Sequence, residues 1–423
     1  MTVRQGVLPF NIDQTPRTGT TSFGGLPLIV ELLRTLVSKA EYRTLARALG
    51  YTHWKTARRH LESLVCLIAG GGDCLDDLER LRADEALHKL LGFTISSPTQ
   101  AKEFLYAFHQ APCGRRLDQG DDAQLSTQGV ARIRPEGPGL QALTGLLGLA
   151  VGRAQRHRCA RRATLDVDAT LTEAHKATAL RTYEGFRGYQ PQMAWWAELG
   201  MWVHDPFRDG NVPAEFELQP FLEAAFKALP SSVTERRLRA DSAAYNERAL
   251  TWADEMRIQF AVSADMSEAL ARAVAALPTH AWKPYRTLTE HDGPPNELRF
   301  WAEVEFDPDW ARNRKKTTQP FRYIAVRVHG RQRDLFDDDC KHFAVVTNMD
   351  WDGERLLRWH REKQGSVEAG HRVVKRELAG SVLPTSRFGS NAAWWRINAI
   401  VHNLLRVLQI AALPQEMSAM RPK

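Results

Sequence analysis

The stretch Trp359–Ala379, WHREKQGSVEAGHRVVKRELA, decides how the rest of the chain is read. Val367, His371, Val374 and Leu378 recur at spacings of three and four, which predicts one buried stripe on an amphipathic helix. Spacings of four and seven return to nearly the same helix face, so Glu368, Arg372 and Lys375 project together. A carboxylate on that face can hold a divalent metal, and cations one and two turns on can hold phosphate. By itself the group reads first as a solvated Glu/Arg ion pair.

Two upstream segments change the balance. In ATLDVDAT (163–170), Leu165, Val167 and Ala169 alternate with Asp166 and Asp168, so both aspartates lie on one face of a predicted strand. In ERRLRADSAAY (235–245), a second strand-like run ends on Asp241, and Ser242 starts a helix. An Asp at such a junction also serves as an ordinary helix cap.

Two aspartates at strand ends followed by a glutamate on a late helix resemble the DDE transposases of bacterial insertion sequences. The likeness extends over nearly the whole chain: the DAT step at Asp168, GYQP at 188–191, RADSAAYN at 239–246, and the Glu368–Lys375 spacing. In the family's late-helix signature a Tyr and an Arg precede the Glu; here Arg361 and Gln364 stand at those positions. That departure bears on phosphate handling, where Arg361 and Arg372 are candidates to compensate.

The resemblance implies an α/β fold: an RNase H-like catalytic core with a β-strand-rich insertion and an all-helical N-terminal domain. The implied division is a helical DNA-binding domain at 1–110, a linker or mobile loop at 111–138, and the first part of the core at 139–265. The β-rich insertion follows at 266–356, the glutamate helix and closing helix at 357–413, and a tail at 414–423. The insertion carries strand-like runs at 299–306, 322–328 and 342–348. The closing helix is expected behind the sheet. Asp168, Asp241 and Glu368 are the implied catalytic and metal-binding residues, with Asp166 as the alternative to Asp168. They would hold two Mg²⁺ ions, with Mn²⁺ as a substitute, because hard oxygen ligands suit such cations. The implied reaction is cleavage at the ends of an insertion sequence and strand transfer into target DNA, by a homodimer on double-stranded DNA bridging two inverted-repeat ends. In such an insertion Trp301 or Trp282 could take an unstacked base, and Trp195 or Trp196 could stack on one. The alternatives are a metal-dependent nuclease without strand transfer and a decayed or repurposed DNA-binding protein of the same fold.

Composition agrees with a DNA partner without requiring it. Net charge is +7 and the pI near 9.2, on a 423-residue chain with 25% charged residues. Residues 153–162 carry five arginines and one histidine with no acid, directly before the first aspartate strand, so Arg161 and Arg162 are candidate phosphate contacts. A second basic run, RNRKKTTQPFR, lies at 312–322. Residues 42–65 read as helix, turn, helix, with Lys55, Arg58 and Arg59 outward on the second helix; that unit either reads DNA or simply packs. Five scattered cysteines with no CxxC pair argue against a zinc site or disulfide framework. No apolar run reaches the roughly 20 residues a bilayer demands, and the N-terminus lacks a signal-peptide core. The expectation is a cytoplasmic, nucleoid-associated bacterial protein with no membrane partner.

Overall fold

The computed structural model describes residues 19–118, 127–285, 298–310, 321–329 and 340–414, with 3–4, 11–12, 121, 124 and 417. Most of the expected N-terminal arm, tail and 312–322 basic run, and much of the 119–126 stretch of the linker, lie outside the described residues.

One nine-stranded sheet carries the fold. Its strands are β1 (Arg162–Ala169), β2 (Gln192–Trp196), β3 (Met201–His204), β4 (Glu235–Ala240), β5 (Gln259–Ala264), β6 (Lys283–Pro284), β7 (Leu298–Val304), β8 (Arg322–His329) and β9 (Cys340–Thr347). In space they run β6-β7-β8-β9-β5-β4-β1-β2-β3. β1, β4 and β5 are parallel neighbours, β2 runs antiparallel beside β1, and β3 runs antiparallel beside β2. The order β3-β2-β1-β4-β5 is the RNase H-like core that the resemblance implied. The β-rich segment extends this sheet, because β9 pairs antiparallel with β5 and β8 and β7 follow in turn.

The helices are α1 (Leu26–Leu36), α2 (Lys39–Ala48), α3 (Trp54–Ala69), α4 (Leu78–Arg82), α5 (Glu85–Leu91), α6 (Pro98–Tyr106), α7 (Pro138–Arg158), α8 (Leu218–Lys227), α9 (Glu247–Glu255), α10 (Glu268–Ala275), α11 (Gly353–Arg372) and α12 (Phe388–Ala412). Local sequence sets several boundaries. Ser38 and Glu41 form a capping box at α2; Ser97 and Gln100 do the same at α6, with Pro98 in the first turn. Asp352 accepts from the backbone N–H groups of Glu354 and Arg355 and so starts α11.

The closing helix α12 does not sit behind the sheet as expected. It packs against α7 and the helices α1, α3 and α6 on one side and the edge strand β3 on the other. The Asn403 amide accepts from Trp202 N–H at 3.0 Å and donates to its carbonyl at 2.8 Å, satisfying the open edge of β3. Buried Arg396 joins Asp205 at 2.8 Å and Glu136 at 2.7 Å, tying α12 to the segments beside β3 and α7. One continuous apolar core therefore runs from Leu26 to Val407. Between α6 and α7, Arg134 is buried on Asp209 at 2.8 Å and stacks over Phe388.

α11 crosses the sheet from β7 over β5 and β4 to β1. Two glycines let it lie close. A Cβ on Gly353 would come within 2.3 Å of the Trp301 ring, and one on Gly370 within 2.7 Å of Trp195 and 2.9 Å of Trp202. Past Arg372 the chain widens into a π-turn, Val373–Glu377, with Leu378 N–H bonded to Val373 O. The sequence reads as one uniform helix to Ala379; the wider turn keeps Val373, Val374 and Leu378 all buried.

Burial holds four histidines neutral. His60, His204, His360 and His402 are each lowered from 6.5 to about 4, with desolvation as the leading cause. Between those values the unfolded chain binds more protons than the folded one, so stability is full above about pH 6.5 and is lost as pH falls towards 4. Asp205, pushed up to about 6 by burial, acts in the opposite sense, as do Asp166 and Asp241, whose carboxyls burial also raises, but the four histidines outweigh them in this range. We predict that the melting temperature falls by several degrees between about pH 7 and about pH 5; an unchanged or higher value at the lower pH would contradict this.

Candidate active site

β1 and β4 are parallel with Asp166 opposite Arg239 and Val167 opposite Ala240. The next residues in that register are Asp168 and Asp241, so the two aspartates face each other at the C-terminal ends of adjacent strands. Like charges this close need a cation between or beside them. Lys363 of α11 supplies one: its Nζ lies 3.5 Å from Asp168 Oδ1 and 3.4 Å from Asp241 Oδ2. His371, two turns on, brings Nε2 to 3.3 Å from Asp168 Oδ2, a close approach and not an aligned hydrogen bond. Its ring lies 5.0 Å from that of Trp202.

The pair is electrostatically split. Burial alone would raise Asp168, but His371 and Lys363 more than reverse this and hold its carboxyl below the usual range. Burial, opposed by Lys363 and reinforced by the Asp168 charge, pushes Asp241 up. Asp241 also caps the turn after β4 through Ala243 N–H, so the helix-cap reading and the site reading both hold for it.

Asp166 has a different environment. Its carboxylate is fully buried, takes a bidentate pair from Arg239 at 2.6 and 2.9 Å, and accepts from Ser366 Oγ of α11. Arg239 also donates to Trp359 O at 2.6 Å and Glu362 Oε2 at 2.9 Å, both on α11. Asp166 is thereby a clamp for the helix, with its oxygens engaged, while Asp168 faces the cleft. His360 adds a hydrogen bond from Nε2 to Ala240 O, next to Asp241.

Glu368 is exposed on α11 and shares an open cleft of about 540 Å³ with Asp168, Thr170, Arg372 and Lys375. Among the described residues no carboxylate triad closes to within 4.8 Å here; the single such cluster is Asp73, Cys74 and Asp77, on the surface of the helical region. Glu368 therefore shares a cleft with Asp168, while Asp241 lines the neighbouring groove. Lys375 donates to Thr170 Oγ1 at 3.1 Å and Leu171 O at 2.7 Å, anchoring the chain just after β1. Arg361 lies two turns before Glu368 on nearly the same face of α11, in a groove shared with Asp241, Lys363 and Gln364.

Other sequence-derived candidates lie further away. Arg161 and Arg162 flank the start of β1, about 20 Å from Asp168 at the strand's rise per residue, so that patch does not abut the site as expected. Arg162 pairs there with Glu235 at 2.8 Å. In α3 every residue from His60 to Ile68 is buried, which leaves its first turn as the accessible part; Lys55 is exposed there, Arg59 is half-buried, and Arg58 approaches Glu62 at 3.5 Å and lies over Trp54. The proposed base-stacking tryptophans are not available: Trp195 and Trp196 are buried in β2, Trp301 lies under Gly353 and Trp282 under Arg327.

Sequence reasoning missed Lys363, Arg239, Ser366 and the approach of His371 to Asp168. Lys363 stands five residues before Glu368, outside any same-face spacing, and the Asp166–Arg239 pairing exists only in the strand register. The division of labour between the aspartates predicts opposite mutational signatures. Asp166→Asn leaves buried Arg239 short of its counter-charge and should cost about 3 kcal/mol in urea unfolding. Asp168→Asn, which relieves a like-charge contact, should change stability by less than about 1 kcal/mol. Equal losses from both would contradict the assignment.

Comparison with known proteins places the chain in a family. The family model described as "Transposase DDE domain group 1" matches residues 19–423. Among curated proteins none matches this sequence. Among solved structures the chain is similar to a cryo-EM structure of a piggyBac transposase synaptic complex with hairpin DNA, at 11% identity and a TM-score of 0.46, over 90% of this chain and 74% of that one. With the family match spanning the helical region, the core sheet, its extension and both late helices, the chain belongs to the DDE transposases, DNA-transposing enzymes that use divalent metal ions.

Proposed function

We propose that this transposase cleaves the ends of its own DNA element and joins them to target DNA, with Asp168, Asp241 and Glu368 as its metal-binding carboxylates. The observation that carries the reading is the register of β1 and β4, which sets Asp168 against Asp241, with Glu368 lining the cleft onto which Asp168 opens. The donor set fits the group: the half-buried carboxylate of Asp168 faces the exposed one of Asp241, with a lysine ammonium 3.4–3.5 Å from both and His371 Nε2 3.3 Å from Asp168. Hard oxygen donors suit Mg²⁺, with Mn²⁺ as substitute. When bound, two such ions supply activation of water or a DNA 3′-hydroxyl and stabilisation of the leaving oxygen.

The chain's own residues orient the substrate. Arg372 opens onto the cleft beside Glu368 and is suited to a phosphate flanking the scissile bond, while Arg361 serves the groove beyond Asp241. Lys375 holds the loop after β1 and bounds the same cleft, where its charge adds to the attraction for the DNA backbone. Double-stranded DNA is the partner: the inverted-repeat ends of an insertion sequence and the target duplex, bridged by a homodimer. Lys55, on the open turn of α3, and Arg161 at the start of β1 are exposed and stand as further DNA contacts, with Arg58, Arg59 and Arg162 beside them. No described helix is long and apolar enough to cross a membrane, and a bacterial, nucleoid-associated setting is in keeping with the reaction.

The test is excision in cells. The chain is supplied in trans to a plasmid bearing its flanking DNA ends around a marker. The parent should excise and reinsert the marker, Glu368→Gln should do so at least ~10²-fold less often, and Arg372→Ala should weaken binding to the ends with a reduced salt dependence. Excision by Glu368→Gln at the parental level would remove Glu368 from the site, and cutting without rejoining would favour a simple nuclease.

A further inference from the structure

We propose that Lys363 is a built-in counter-cation of the Asp168–Asp241 pair, holding the acidic site closed before a divalent ion enters and competing with that ion for it. The inference rests on reading the two aspartates as metal ligands. Three observations carry it. First, the ammonium straddles the carboxylates almost symmetrically, 3.5 Å from one and 3.4 Å from the other, where a tight ion pair in this chain such as Arg162–Glu235 closes to 2.8 Å. A loosely shared cation is readily displaced by a doubly charged one. Second, the base of Lys363 is fixed although its tip is not. Trp359 and Glu362 before it and Ser366 after it on α11 are held by Arg239 and Asp166, so the side chain is aimed at the carboxylates by a pinned helix. Third, the ammonium has somewhere to go. A groove of about 680 Å³ beyond Asp241 is lined by Lys363 itself, together with Gln364, Ser242 and Asp265. The flexible four-carbon stem can carry the charge from the carboxylate pair into that groove without moving α11.

Five residues separate Lys363 from Glu368, which places them on different sides of the helix, so displacement of the lysine leaves Glu368 free to approach the ion. The role predicted for Lys363 is opposite to that of a metal-supporting residue: its removal strengthens metal binding.

The experiment is calorimetric titration of the full-length, DNA-free chain with MnCl₂, beside thermal melting in EDTA. Lys363→Met should bind Mn²⁺ roughly tenfold more tightly than the parent, the size of effect one opposite charge exerts on a neighbouring carboxylate. It should also melt below the parent in EDTA and gain more from added Mn²⁺. Lys363→Arg, which keeps the charge, should bind Mn²⁺ close to the parent, and Lys363→Gln serves if the Met variant does not fold. Asp168→Asn is the control that should abolish binding. If Asp168→Asn abolishes binding but Lys363→Met binds with equal or lower affinity, the counter-cation role is wrong while the metal reading stands. If neither the parent nor Lys363→Met takes Mn²⁺, or Asp168→Asn takes it undiminished, both fall together.

Discussion

The buried pair between Asp166 and Arg239 is the constraint on which the site depends. Burying two charges carries a desolvation cost that their attraction does not reliably exceed, so its value here is geometric. A guanidinium presents its donors in a fixed planar fork. One edge of that fork grips Asp166 on β1; the other reaches Trp359 O and Glu362 on α11, while Ser366 bonds back to Asp166 from one turn further on. Two parallel strands and a crossing helix are locked in rotation and in translation by this one contact. The apolar approaches at Gly353 and Gly370 then hold the helix at its two ends.

That lock explains why the aspartate two residues on is free. Along β1 the residues alternate, so Asp166 and Asp168 share a face, yet one lies under α11 and the other emerges at the strand end where the sheet opens. The same neighbourhood brings Lys363 and His371 to Asp168 from points two turns apart on α11, and leaves Glu368 between them on the cleft. Behind it, α12 covers the edge of β3 and joins the sheet to the N-terminal helices, so the support of the site extends through the core to α1 and α3.

Much of this was legible in the sequence because it follows from period and order. The alternation in 163–169, the strand ending at Asp241 and the stripe Val367–His371–Val374–Leu378 all appear as read, and the three β-runs after residue 298 form strands close to their expected bounds. What was not legible depends on register or on close approach. Nothing in the sequence aligns Arg239 with Asp166, so the different surroundings of Asp166 and Asp168 were not legible there. The tryptophans at 195, 282 and 301 read as candidate base contacts because an exposed and a buried indole look alike in sequence; each instead lies under a glycine or an arginine, or within the core. The basic run 153–162 is adjacent to β1 in sequence but meets its far end, because a strand of eight residues carries the chain well away before Asp168 is reached.

The central claim is that Asp166 is held by Arg239 for structure while Asp168 and Asp241 hold metal. A crystal of the full chain soaked in Mn²⁺, with diffraction recorded at the manganese edge, tests it most directly. The account predicts an anomalous peak between Asp168 and Asp241, with Lys363 displaced, Glu368 turned inward and the Asp166–Arg239 pair intact. A peak coordinated by Asp166, or manganese bound elsewhere with the Asp168–Asp241 pair still on Lys363, would contradict it.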